Sequence, residues 1–378
     1  MAPRTNIVVT LASAALAIAC GNASGLDGPA VPPSTASAGT SSGAGGRPGG
    51  SGSGGVAAYG GSAAPTGGAG ASARGGSGNS ANAGSAGGDS LGGKANAGAA
   101  GGDPLGTSCE SLPPVTDYAA KGPFADAKMF TNMGPNGNYT VFRADASLGK
   151  NGFRHPIAAW GNGISTTPEQ YAQTLTLVAT HGFVIVACND TQVERPCMSA
   201  GLDWLIGQEA SGPMMGKLDI TREVTIGYSW GGGGAIDTAD RANVKATVSL
   251  HGMPPRVTDA FAKMHAPLLL FTSTGDTFVS ANEYVTPNYQ KSLVQTFYAT
   301  FGDTAAGHLY VADQGAAVCL GAVLGLGTCQ SAAVERAPTI AWLRLWACGD
   351  QNAKKFFYGD DCTLCQNPWT MPQRKVWK

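Results

Sequence analysis

Residues 108–378 read as an α/β domain, a mostly parallel central sheet with helices on both faces. Three observations predict it. Short, nearly continuous apolar runs of strand length recur between residues 139 and 300, the pattern of strands covered on both faces. Amphipathic stretches of helix length lie between several of them. A glycine-rich turn directly follows the apolar segment Val224-Thr225-Ile226 and opens a helix, the signature of a strand-to-helix turn in a parallel sheet. No internal repeat is visible.

Taken in order, residues 1–20 read as an export signal: Arg4 precedes an apolar run from 7 to 19 that ends in small residues. That run is shorter than the roughly 20 apolar residues a bilayer span needs. Leu16-Ala17-Ile18-Ala19-Cys20 resembles a bacterial lipobox, which makes Cys20 the expected lipidation site; an ordinary signal peptide containing a cysteine is the alternative. Residues 21–107 are Gly, Ser and Ala with scattered Pro. Such a stretch has too little apolar surface to offset its ordering entropy and is expected to be a disordered linker. As a flexible coil it reaches on the order of 50 Å.

Strands are expected at 139–143, 156–160, 183–188, 223–227, 246–250, 268–273 and 296–300. A helix is expected from Thr167-Pro168-Glu169-Gln170, which combines an N-cap threonine, a first-turn proline and a glutamine three residues on. It presents Tyr171, Leu175 and Val178 on one face. Further helices are expected at 200–208 and at 332–347, the last with Pro338 as a place for a kink.

The net charge is -1 and the pI about 6.5. Lys and Arg are scattered, so a nucleic-acid partner is not expected. The sequence holds 9 cysteines. With Cys20 lipidated, eight remain for up to four disulfides in an oxidising compartment. Cys188–Cys197 and Cys319–Cys329 are natural close pairs, although eight cysteines allow 105 pairings. Cys362-Thr363-Leu364-Cys365 has redox-motif spacing, but no strand-then-helix pattern surrounds it, so a structural role is expected. No histidine cluster accompanies the cysteines, and neither a metal nor a cofactor is expected.

The segment Gly227-Tyr228-Ser229-Trp230-Gly231 carries the chemistry. After a buried strand, a serine between glycines projects its hydroxyl above the sheet, and the flanking positions must be small because backbones approach there. A serine hydroxyl needs a nearby base. In this arrangement the acid and the histidine follow at later strand ends, in the order Ser, Asp or Glu, His. Thr274-Gly275-Asp276 follows the apolar Leu268-Leu269-Leu270-Phe271, which makes Asp276 the expected acid ahead of Asp303 and Glu283. His308, on a small-residue loop after the next strand, is the expected general base. His251 is its competitor, but it precedes the acid. His155, His181 and His265 are expected to be structural. The oxyanion donors are expected to be the backbone N–H groups of Trp230 and of Asn162, in the turn Trp160-Gly161-Asn162-Gly163.

These segments resemble the cutinase and polyester (PET) hydrolase branch of the α/β-hydrolase superfamily, related to dienelactone hydrolases and chlorophyllases. The matching blocks are 155–163, 227–234, 274–276 and 306–308, and the likeness extends over nearly all of residues 118–347. It implies the α/β-hydrolase fold, a triad of Ser229, Asp276 and His308, and an oxyanion hole from Asn162 and Trp230. Polyester hydrolases of this branch often carry an aromatic where this chain has Asn162. They also often carry Trp where it has His251-Gly252-Met253, which places His251 and Met253 at the expected substrate pocket. The expected protein is an exported, lipid-anchored or secreted, monomeric serine esterase acting on small or polymeric esters. Its rivals are a peptidase or amidase with the same triad and a catalytically inactive surface binding protein.

Overall fold

The computed structural model describes residues 109–304, 307–308 and 333–375. The expected leader, Cys20, the linker at 21–107 and the Cys319–Cys329 pair lie outside the described residues. Nine strands form one sheet: β1 (Lys128–Met133), β2 (Tyr139–Arg143), β3 (His155–Gly161), β4 (Val184–Cys188), β5 (Leu218–Tyr228), β6 (Val244–Leu250), β7 (Leu268–Ser273), β8 (Thr296–Phe301) and β9 (Trp369–Arg374). Their spatial order is β1-β2-β4-β3-β5-β6-β7-β8-β9. The pairs from β4 to β8 are parallel, while β1, β2 and β9 run antiparallel to their neighbours. This is the mixed, mostly parallel sheet of the α/β-hydrolase fold.

Both faces of the sheet are covered, which is why its central strands are buried over almost all their length. Along β3, Ala158 and Trp160 join one core and Ile157 and Ala159 the other. Along β7, Leu269 and Phe271 face the first core and Leu268 and Leu270 the opposite side. Burying each of these larger side chains contributes roughly 1.5–3 kcal/mol. Two helices, α1 (Ala172–Thr180) and α6 (Ala333–Cys348), close the first face through Leu175, Val178, Ile340 and Trp342. The other face is closed by α2 (Arg195–Ser211), α3 (Trp230–Thr238) and the short α4 (Ala260–Lys263) and α5 (Thr286–Lys291).

The helix expected from Thr167 begins with a 3-10 turn at Pro168–Tyr171 held by the capping box, in which the Thr167 N–H donates to Gln170 Oε1 at 2.9 Å. Helix α2 starts five residues earlier than the periodicity suggested. Helix α6 runs through Pro338 without a break. At the sixth position of the helix the ring removes only the hydrogen bond to Val334.

Strands β1 and β9 were not anticipated. Both sit at sheet edges, where one side of the strand meets solvent and the alternating pattern fades. Strand β9 also carries Pro372, tolerated at an edge because one row of N–H groups has no ladder partner. Three disulfides hold the described residues: Cys109–Cys348, Cys188–Cys197 and Cys362–Cys365. The second is an expected pair. The first, across 239 residues, clamps the start of the domain to the end of α6. The third closes the turn before β9, in keeping with a structural role.

The topology fixes where a site can form. The chain adds β4 on one side of β3 and then crosses to lay β5 on the other. The carboxyl ends of β3 and β5 thus flank a switch point, the place where open α/β sheets bind ligands. Gly161 and Gly227 are register partners there.

Candidate active site

Ser229 stands alone between the end of β5 and the start of α3, with φ 54° and ψ -116°. A non-glycine residue holds such a conformation only where its surroundings over-determine it. Here the Ser229 N–H donates to the Leu250 carbonyl at 2.9 Å, and its own carbonyl accepts from Gly232 (3.0 Å) and Met253 (2.9 Å). The glycines around it are steric necessities. A Cβ on Gly227 would lie 2.0 Å from the Gly231 carbonyl oxygen, and one on Gly231 would lie 2.1 Å from that of Gly161. Three backbone segments meet at contact distance, so no side chain fits between them.

The three side chains expected to act together do converge. His308 Nε2 lies 2.8 Å from Ser229 Oγ, and His308 Nδ1 lies 2.8 Å from Asp276 Oδ2. With Nδ1–H donating to a carboxylate, Nε2 is the acceptor for the serine hydroxyl. Asp276 Oδ1 accepts from the backbone N–H groups of Phe278 (3.1 Å) and Val279 (2.8 Å). Burial pushes the Asp276 carboxyl up, but the His308 charge, the hydrogen bonds from both histidines and the His251 charge hold it well below the usual carboxylate range. Tyr228 braces the histidine from the side. Its O–H donates to the His308 carbonyl at 2.5 Å, and its ring stacks on the imidazole with centroids 5.0 Å apart.

Asn162 follows β3 directly. Its carbonyl accepts from the Gly231 N–H at 3.0 Å, locking the turn against the first residues of α3. Its side chain is fully buried: Oδ1 accepts from Trp160 Nε1 at 2.7 Å, and Nδ2 donates to the Cys188 carbonyl at 2.7 Å and to that of Asp190 at 3.2 Å. This bracing role is what the sequence did not disclose, since the two carbonyls that its Nδ2 reaches come from the end of β4 and the residues just after it. Trp230, the residue after the serine, is half-buried and lies under the Arg256 guanidinium, 3.7 Å from the ring centroid.

The structure moves His251 from the place expected for it. The ring has no exposed surface and so forms no wall of an open pocket; it lies behind Asp276. Met253 is half-buried beside the elbow. Of the acids considered, Asp276 is the one at hydrogen-bond distance from His308. Among the described residues, His251, Asp276 and His308 are the one group whose spacing could hold a metal. The Nδ1 atoms of both histidines lie at hydrogen-bond distance from the same Asp276 oxygen.

His155 and His181 are structural, as expected. His155 Nδ1–H donates to the Gly182 carbonyl at 2.9 Å, and its Nε2 accepts from the Gly149 N–H at 3.2 Å. Burial holds both His155 and His181 neutral, lowering each to about 4. For His251 burial also favours the neutral ring, but the Glu335 charge and hydrogen bonds to Asp276 and Glu335 outweigh it and raise the ring to about 9. Below the ordinary value of 6.5 the unfolded chain takes up protons that His155 and His181 refuse. Acidification toward 4 therefore costs about 3 kcal/mol for each ring. His251 works in the opposite direction, contributing stability that is complete below 6.5 and lost as the pH rises through 9. Thermal unfolding is thus expected to show its highest Tm near pH 6.5, with declines on both sides in scanning calorimetry. A Tm that stays level from 6.5 down to 4 would contradict the neutral burial of these rings.

The PET hydrolase-like family model matches residues 173–367, just over half of the 378-residue chain. The match starts after β3 and reaches past Cys348 into the cysteine-rich end, beyond the 118–347 span of the resemblance. The chain is 29% identical over 119 residues to a cutinase (est2) of Thermobifida alba, covering 30% of this chain and 39% of that one. It is 28% identical over 119 residues to cutinase 2 of Thermobifida cellulosilytica, covering 30% and 44%. A cutinase (cut1) of Thermobifida fusca is 28% identical over the same length, covering 30% and 36%. The chain thus spans less than half the length of these relatives. With a Gly-x-Ser-x-Gly elbow at the switch point of a mostly parallel sheet and a family match over half its length, this chain belongs to the PET hydrolase-like family of α/β hydrolases.

Proposed function

We propose that the protein is a serine carboxylic-ester hydrolase that works through an acyl-enzyme. The observation that carries this reading is the unbroken hydrogen-bonded line from Ser229 Oγ through His308 to Asp276, at 2.8 Å for each step. Ser229 Oγ attacks the ester carbonyl as His308 Nε2 takes its proton. The developing oxyanion is met by the N–H groups of Trp230 and Asn162, an interaction whose loss typically costs about 10²–10³ in turnover. On collapse, His308 returns the proton to the leaving alcohol, then activates the water that releases the acid. Asp276 keeps the imidazole in the required tautomer and stabilises its charged form.

Ester substrates, small or polymeric, fit the names of the family and of the cutinases it resembles. Two departures weigh against bulky aromatic polyesters: Asn162 stands where polyester hydrolases often carry an aromatic ring, and the segment His251-Gly252-Met253 stands where they often carry Trp. The leader pattern through Cys20 supports export with a lipid anchor or free secretion, residues 21–107 serving as tether, and the enzyme is taken to act as a monomer. The rival activity is amide cleavage by the same triad. A series of p-nitrophenyl acyl esters against the matching p-nitroanilides ranks the two, with esters expected to turn over faster at every chain length. Faster anilide cleavage would favour an amidase, and turnover of neither would favour a binding protein.

A further inference from the structure

The triad acid has a second histidine behind it. His251 Nδ1 lies 2.6 Å from Asp276 Oδ2, the same oxygen that His308 engages, and His251 Nε2 lies 3.1 Å from Glu335 Oε1 on α6. A carboxylate only accepts hydrogen bonds. Where both acids are ionised, a ring placed between them donates from both nitrogens, and an imidazole that does so is a cation. Both His251 and Glu335 are buried, at 0% and 2% exposure. A buried charge persists where it is paired, and this one has an anion on either side. The backbone of His251 adds a further sign of a built position. Its φ is 47°, in the left-handed region that costs a non-glycine residue energy, and its N–H is tied to the Phe271 carbonyl at 2.8 Å.

We propose that His251 is a buried imidazolium that positions Asp276 and, balanced by Glu335, sets the pH at which His308 becomes able to act as base. The inference rests on the triad reading above and assigns a role to two residues outside it. His251 touches neither substrate nor the reacting atoms. It holds the acid from the side opposite His308, so that Asp276 accepts four hydrogen bonds and cannot rotate away from the base. The groups that face its ring are Asp276, Glu335, His308 at a centroid distance of 6.0 Å and Tyr228 at 6.4 Å. Burial keeps the Tyr228 phenol protonated, so it adds no charge. The positive ring at 251 disfavours a second positive ring at 308, and the Glu335 carboxylate offsets that effect. At 6 Å and an effective dielectric near 20, one uncompensated charge would move the protonation of the base by roughly one to two pH units.

The test is the pH profile of kcat/KM for a p-nitrophenyl ester, measured on the full-length protein. His251→Gln leaves two carboxylates beside His308 with no cation between them. The midpoint of the acidic limb is expected to rise by roughly one to two pH units. The double variant His251→Gln/Glu335→Gln restores the net charge, and the midpoint is expected to return toward the wild-type value. A merely structural role would lower kcat in the single variant and leave the midpoint where it was, which would overturn the proposal. Nitrogen-15 spectra of ring-labelled histidine in the wild-type protein give a second reading that needs no variant to fold. Both ring nitrogens of His251 are expected to carry protons near neutral pH and one to be lost at about 9. A ring with one bare nitrogen near neutrality would also overturn it. Ester turnover with a neutral His251 counts against this inference alone, whereas absence of turnover in the wild-type protein counts against the hydrolase reading itself.

Discussion

Ser229→Ala is expected to lower kcat on a p-nitrophenyl ester by about a million-fold, while the fold survives. The two expectations follow from different atoms. The loss of rate follows from Oγ, the atom 2.8 Å from His308 Nε2; without it no covalent intermediate can form. What remains is the contribution of the oxyanion donors and of substrate binding, about 10³–10⁴ over the uncatalysed reaction. Survival of the fold follows from the backbone. The bonds that hold the elbow in its strained conformation run through the Ser229 N–H and carbonyl, and alanine keeps both along with the Cβ. Denaturant unfolding of the variant should match wild type within about 1 kcal/mol, the net worth of one hydrogen bond. A variant that retains appreciable steady-state turnover would remove Ser229 from the mechanism.

Asp276→Asn is expected to lower kcat by about 10⁴ and, unlike the serine change, to destabilise the fold. As a carboxylate, Asp276 accepts from His308, His251 and the N–H groups of Phe278 and Val279. Asparagine offers one acceptor oxygen for those four donors, and its own NH₂ group would face another donor. The change also leaves His251 with Glu335 as its remaining counter-charge. Breaking a buried ion pair by removing one partner typically costs about 3–5 kcal/mol. Steady-state kinetics and urea unfolding on the same preparation would check both halves. Loss of activity without loss of stability would show that His251 is not a cation resting on this carboxylate.

Much of this arrangement was legible in the sequence because its causes are local. Strands β3 and β7 carry consecutive apolar residues, Ile157 to Trp160 and Leu268 to Phe271, since both of their faces are buried, and that leaves an unbroken run. The elbow is legible because backbone crowding at Gly227 and Gly231 excludes any side chain, so the steric demand is written as a motif. Asp276 and His308 follow from the rule that this sheet presents its chemistry at strand ends. The edge strands left no such trace: β1 mixes half-buried and exposed positions without regular alternation, and β9 contains a proline. Nor could local pattern reveal the Cys109–Cys348 bridge or the Glu335 partner of His251, which come together only when α6 packs on the sheet. From sequence alone His251 reads as a rival base with a place in the pocket. Its residue type and strand end suggested chemistry, but its partner is 84 residues away, and that partner decides its role.

Acyl transfer at this site requires the hydroxyl at the elbow to be an activated nucleophile. Incubating the purified wild-type protein with a fluorophosphonate, then measuring intact mass and mapping the labelled peptide, tests this most directly. One adduct per chain, located on Ser229, is the expected result. No uptake, or an adduct on a different serine, would contradict it.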